Sequence, residues 1–160
     1  MKPEINKGSR RLRKSRTSYS YALYLVSTAK AKGADRLDNP ISFAVMVSEI
    51  SRLEREGVWE VPALVAMPTH LHMIVRLGRD QDLSHAMKLF KGRTAHKINE
   101  QNQTSGSIWY KGFHDRLIRD AENLSGYYNY LLKNPVKASL CSSPDDYPYF
   151  RIKPEINDLL

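Results

Sequence analysis

The sequence predicts an α+β sandwich, with helices packed on a mostly antiparallel sheet. Three observations lead there. Segments of strand and helix character follow one another in the order β-α-β-β-α-β-α. Two of the strand segments, 58–68 and 69–78, adjoin with no helix between them, as in a hairpin. The 160 residues are 41% hydrophobic and 26% charged, which suits one globular domain with a real core.

The elements read as follows. "YSYALYLVSTAK" (19–30) is rich in aromatic and β-branched residues and reads as a strand. "KGADRLDNP" is a loop, and Pro40 suits a first helical position behind Asn39 or Asp38 as cap. Residues 41–56 place Phe43, Val47, Ile50 and Leu53 at helical spacing, and Gly57 stops that helix. The strand 58–68 contains Pro62, which predicts a bulge or an edge position. The helix 82–103 carries an apolar stripe of Leu83, Met87 and Phe90 and a basic side of Lys88, Lys91, Arg93 and Lys97, with Gly92 weakening its middle. A fourth strand falls at 113–119, and a third helix at 123–135 ends near Pro135. The remaining tail is expected to be irregular and to wrap the surface.

Charge narrows the class of partner. Of the net charge of +8, residues 1–16 supply +6: Lys2, Lys7, Arg10, Arg11, Arg13, Lys14 and Arg16 stand against Glu4 alone. A basic arm on a nearly balanced domain fits a polyanion, nucleic acid first and an anionic membrane second; the plain alternative is a solvated tail that aids solubility. No run of 18 apolar residues is present, and the basic N-terminus has no apolar segment behind it, so neither a transmembrane helix nor a secretory signal is expected. Cys141 is the sole cysteine, which fits a reducing cytoplasm.

Two places carry candidate chemistry. In "THLHMIVRLG" (69–78), period-two alternation puts His70, His72, Ile74 and Arg76 on one face and the apolar Leu71, Met73, Val75 and Leu77 on the core face. Two imidazoles about 6–7 Å apart along a strand can converge on one divalent ion. They can equally be surface histidines, and a third ligand has to come from elsewhere. In "YYNYLLKNP", Tyr130 and Asn134 lie one helical turn apart. Tyr127, Tyr130, Asn134 and Lys137 form a polar stripe if the helix runs that far. One helix can thus present a phenol and an amide oxygen near its C-terminus, where a cation is favoured. That pairing suggests phosphoryl transfer to tyrosine assisted by a metal. Tyr127 and Tyr128 read as residues of the core edge.

The motifs "MPTHLHMIV", "LFKGRTAHKIN", "WYKGFHDRLIRDAENL", "YLLKNPVKASL" and "DDYPY", in that order, resemble those of REP-associated tyrosine transposases, in the single-tyrosine branch of the HUH endonucleases. The resemblance runs from about residue 19 to 149. It implies a ferredoxin-like sandwich with a central sheet of four to five strands. It implies that His70 and His72, with Asn134 as third ligand, hold a divalent ion, Mg2+ or Mn2+. Tyr130 matches the nucleophile that cuts single-stranded DNA and leaves a 5′-phosphotyrosine. Asn134 replaces the glutamine of related insertion-sequence transposases, with the amide oxygen serving in either. Arg116 stands where relatives often carry histidine, so His114 is expected to be structural in the fourth strand, with a place near the metal as the alternative. His85 and His96 read as surface residues or DNA contacts.

Substrates implied by the resemblance are hairpins of single-stranded DNA with short flanks. Arg10, Arg11, Arg13, Lys14, Arg16, Lys88, Lys91, Arg93 and Lys97 are then phosphate contacts, and Trp109 and Tyr110 candidate platforms for stacked bases, with core packing the alternative for Trp109. The division expected is an arm at 1–18, a catalytic domain at 19–150 and a tail at 151–160. A monomer is favoured over a homodimer. The competing function is a hairpin-DNA-binding protein on the same fold that has lost turnover.

Overall fold

The computed structural model describes residues 18–159. The basic residues Arg10, Arg11, Arg13, Lys14 and Arg16 lie outside them. The elements are β1 (Leu23–Ala29), α1 (Pro40–Arg55), β2 (Trp59–Ala66), β3 (His70–Leu77), α2 (Leu83–Asn102), β4 (His114–Ile118), α3 (Ala121–Lys137) and β5 (Phe150–Ile152). The five strands form one antiparallel sheet in the order β4-β1-β3-β2-β5. The expected α+β architecture is therefore present.

Each helix starts on a side-chain cap. Asn39 accepts from the Ser42 amide, Asp82 from His85 and Asp120 from Asn123, so each satisfies an orphan N–H of a first turn. Gly57 ends α1 at φ +73°, as expected. Gly78 is required for a different reason: a Cβ there would lie 2.0 Å from the Gly57 carbonyl oxygen, where the open end of the β2–β3 hairpin meets the end of α1. Pro62 sits at a register shift between Glu60 and Ala63, so the bulge expected there is present and lets an inner strand carry proline.

Three expectations change. The buried side of α1 is Ser42, Val45, Met46, Ile50 and Leu53; Phe43 and Val47 are half-buried on its flank. The apolar stripe is broad enough that two readings of its centre fit, and packing against α2 selects this one. Next, α3 does not end at Pro135. It continues to Lys137, because the proline falls in the last turn, where Ala138, Ser139 and Leu140 donate to Asn134, Val136 and Pro135 and complete the helix end. The tail also supplies a strand. β5 pairs with the outer side of β2, Tyr147 Oη donates to the Ala66 carbonyl at 2.5 Å, and Arg151 and Lys153 reach Glu54 at 3.0 and 2.6 Å. A three-residue strand is too short to show a period in sequence.

Both sheet faces are covered. On one, Tyr24, Val26, Leu71, Met73, Val75 and Leu77 join α1 and α2 in the main core. On the other, Ala63, Val65 and Ile74 form a second core with Leu124 and Leu131 of α3 and Tyr147 and Ile156 of the tail. This second layer lays α3 across the histidine face of β3.

Candidate active site

β3 turns His70 and His72 to the α3 side of the sheet. Their ring centroids are 6.1 Å apart and their planes 15° from parallel. His72 is 6% exposed, and burial pushes its imidazole down to about 4, with the charge of His70 adding to this. His70 is half-buried, and its pKa is lowered by burial and then by the neighbouring charge of His114. Both rings are thus held in the neutral form that binds a cation. His70 Nδ1 is 2.7 Å from Thr69 Oγ1, which fixes the ring and leaves Nε2 to face a ligand.

From the opposite side, α3 brings the Tyr130 ring edge-on to His72, with centroids 5.6 Å apart at 86°. Asn134 follows one turn later, and its Nδ2 is buried without a hydrogen-bond partner. A buried, unpaired amide costs on the order of 1–3 kcal/mol, so this side chain is set up for something the polypeptide does not provide. The amide nitrogen and oxygen can exchange places by a flip, which turns the oxygen toward the same spot. Among the described residues, no group of three or more His, Cys, Asp or Glu is arranged to hold a metal. The side chains here that could hold a divalent cation are the imidazoles of His70 and His72, with an amide oxygen of Asn134 on the helix that faces them.

The other expected contacts scatter. Lys88 is exposed. Lys91 is not directed outward: its Nζ donates to the carbonyls of Tyr110 and Gly112, at 2.7 Å each. Arg93 is paired with Glu49 and Glu56, and Lys97 with Glu100. Trp109 is 7% exposed and donates from Nε1 to Thr94 Oγ1, within the main core, while Tyr110 is 59% exposed. His85 and His96 are exposed, and Tyr127 and Tyr128 pack half-buried against the second core.

Sequence reasoning passed over Ser27. It pairs with His72 on one side and with His114 on the other, so the three residues form one row across β3, β1 and β4. Directly opposed residues share a sheet face. The sequence holds one signal for this: Leu23, Leu25, Ser27 and Ala29 alternate onto one face of β1, and the serine is its polar member. The inter-strand register that sets it beside the histidines is not written locally.

The family model described as "Transposase IS200 like" matches residues 17–131. The chain belongs to the IS200-like transposase family. Within it, the chain is 28% identical over 101 residues to a REP-associated tyrosine transposase of Escherichia coli, a match covering 62% of this chain and 58% of that one. It is 26% identical over 102 residues to a Haemophilus influenzae protein assigned to the same group, covering 57% of each. The chain thus spans less than three fifths of the length of these curated relatives. A solved REP-associated tyrosine transposase bound to a REP hairpin superposes with a TM-score of 0.75 at 20% identity, over 91% of this chain and 86% of that one. This member of the IS200-like transposase family therefore shares its fold with that structure. Among its described residues, no helix is long and apolar enough to cross a membrane.

Proposed function

We propose that this IS200-like transposase is a divalent-metal-dependent endonuclease and strand transferase acting on single-stranded hairpin DNA, with Tyr130 as the nucleophile. The observation that carries the reading is the Tyr130 ring 5.6 Å from His72 on the same helix as the unpaired amide of Asn134. The solved neighbour is bound to a REP hairpin, and an equivalent hairpin is the substrate proposed here. His70, His72 and Asn134 would hold Mg2+ or Mn2+. When bound, the ion would polarise the scissile phosphate and offset charge developing in the transition state.

The remaining work falls to the chain. The Tyr130 phenol gives up its proton as Oη attacks the scissile phosphorus, the bond from phosphorus to the 3′-oxygen breaks, and the released 3′-oxygen takes up a proton, so the step is proton-neutral overall. The products are a 5′-phosphotyrosine and a free 3′-OH. Attack by another 3′-OH reverses the step, restores the phenol and joins the strands. His72 packs against one side of the tyrosine ring, and α3 holds the phenol in place. Residues 1–18 would act as a basic arm on 19–150, contacting phosphates, in a cytoplasmic monomer.

The test is incubation of the protein with a hairpin carrying single-stranded flanks and Mn2+, followed by denaturing electrophoresis. The expected result is a covalent protein–DNA adduct that is lost in Tyr130→Phe and with chelator. Tight binding with no adduct from the wild type would instead establish a hairpin-binding protein without turnover.

A further inference from the structure

The row that joins His72, Ser27 and His114 extends the site beyond its histidine pair. Strands in a sheet lie about 4.7–4.9 Å apart, so the backbones of His72 and His114 are roughly 9–10 Å apart with Ser27 between them. His114 is opposed to Ser27, which is opposed to His72, so the three side chains lie on the same, site-bearing face of the sheet. Ser27 is the smallest polar residue on that face of β1; Leu23 and Leu25 occupy the positions before it and pack into the second core. By side-chain size, a serine set between two imidazoles makes this row a low point on the sheet face, a trough with an imidazole on each side and a hydroxyl between them.

The row runs out to the edge of the sheet. β4 is the edge strand, and among the described residues no strand pairs with its outer side. Of β4, Ile118 alone joins the second core; His114 is half-buried and Arg116 exposed. Arg116 pairs with Leu25, which pairs with Ile74, so it shares the face of His114 one row further along. A guanidinium on that rim, with hydrogen-bond donors on the trough floor, is suited to a run of phosphates.

We propose that Ser27 and His114 form the seat of the scissile phosphate, donating hydrogen bonds to its non-bridging oxygens, and that Arg116 holds the adjacent phosphate of the single-stranded flank. This assignment rests on the strand-transfer reading for its chemistry, but it is also a statement about binding and can be tested without turnover. Tyr130 would approach the phosphorus from above, and the seat would fix the group it attacks. Ser27 has a second role as a small side chain, since a branched residue there would fill the trough.

Two arms test it. In a Tyr130→Phe background, which keeps DNA uncut, His114→Ala and Ser27→Val should each weaken binding of a flanked hairpin by about tenfold, the scale of one lost charge-assisted contact. Binding of a hairpin that lacks the flank should not change. With Tyr130 present, His114→Ala should slow adduct formation at saturating DNA by on the order of 10²-fold, as when one donor to a developing charge is removed, with His114→Gln partly restoring the rate. A phosphorothioate at the scissile position should slow the wild type, and slow His114→Ala much less, because the contact it perturbs is already gone. A merely structural role would lower the melting temperature and weaken both DNAs alike, and that result would overturn the proposal. So would unchanged flank binding with an unchanged adduct rate. If the wild type forms no adduct, the strand-transfer reading fails, and the flank-binding arm alone decides the phosphate seat.

Discussion

At the scale of the residue, His72 is a buried base held neutral. The unfolded chain takes up a proton on this ring near the ordinary value of 6.5, whereas the folded chain does so near 4. Between those values the unfolded state binds more protons, so the metal-free protein loses stability as pH falls through this window. The expected loss approaches a few kcal/mol by pH 4. Urea unfolding at a series of pH values should show it, and His72→Gln should flatten most of the slope; an equal slope in that variant would assign it to another group. Alternation along the strand made the shared face of His70 and His72 legible in sequence. Helical spacing did the same for Tyr130 and Asn134. Ser27 and His114 were not legible as neighbours, because their proximity depends on the pairing of β1 with both β3 and β4.

At the scale of the element, α3 and the segment leading into β4 position the site. Lys91 is the clearest case of a residue whose charge suggested one task and whose surroundings show another. It staples residues 110–112 to α2 through two carbonyls. Burial pushes its pKa down to about 8, but both carbonyl oxygens solvate the ammonium, so the staple holds at neutral pH. Lys91→Met keeps most of the stem and loses both bonds. It should cost about 1.5–3 kcal/mol in urea unfolding and speed amide exchange at 112–114. Unchanged exchange there would mean that β4 is held by its pairing to β1 alone. Basic periodicity in a sequence cannot distinguish such a staple from a phosphate contact, since both need only a cation on a helix. The same reasoning applies to Arg93, which Glu49 and Glu56 occupy. β5 escaped notice for a different reason: its pairing partner β2 is some 85 residues away in the chain, and three residues show no period.

At the scale of the molecule, the sheet carries helices on both faces, and the second face is the one that holds His70, His72 and Tyr130. The order of elements was enough to predict an antiparallel α+β sheet. It was not enough to show that α3 and the tail build a second core, which depends on where the last 40 residues turn back. The basic arm carries most of the net charge and lies outside the described residues. If it contacts phosphates, deleting residues 1–16 should weaken DNA binding and flatten the dependence of log K on log salt, by roughly 0.7 for each single-strand phosphate contact removed. An unchanged slope would exclude the arm from the interface.

The central claim is that Tyr130, and neither neighbouring tyrosine, becomes joined to DNA. Trypsin cleavage after Arg119 and Lys133 releases one peptide that carries Tyr127, Tyr128 and Tyr130 together. Nuclease and trypsin digestion of the manganese-dependent reaction, followed by fragmentation mass spectrometry of that peptide, locates the bond. The account predicts a nucleotide 5′-phosphate on Tyr130; the same mass on Tyr127 or Tyr128, or on another peptide, would contradict it.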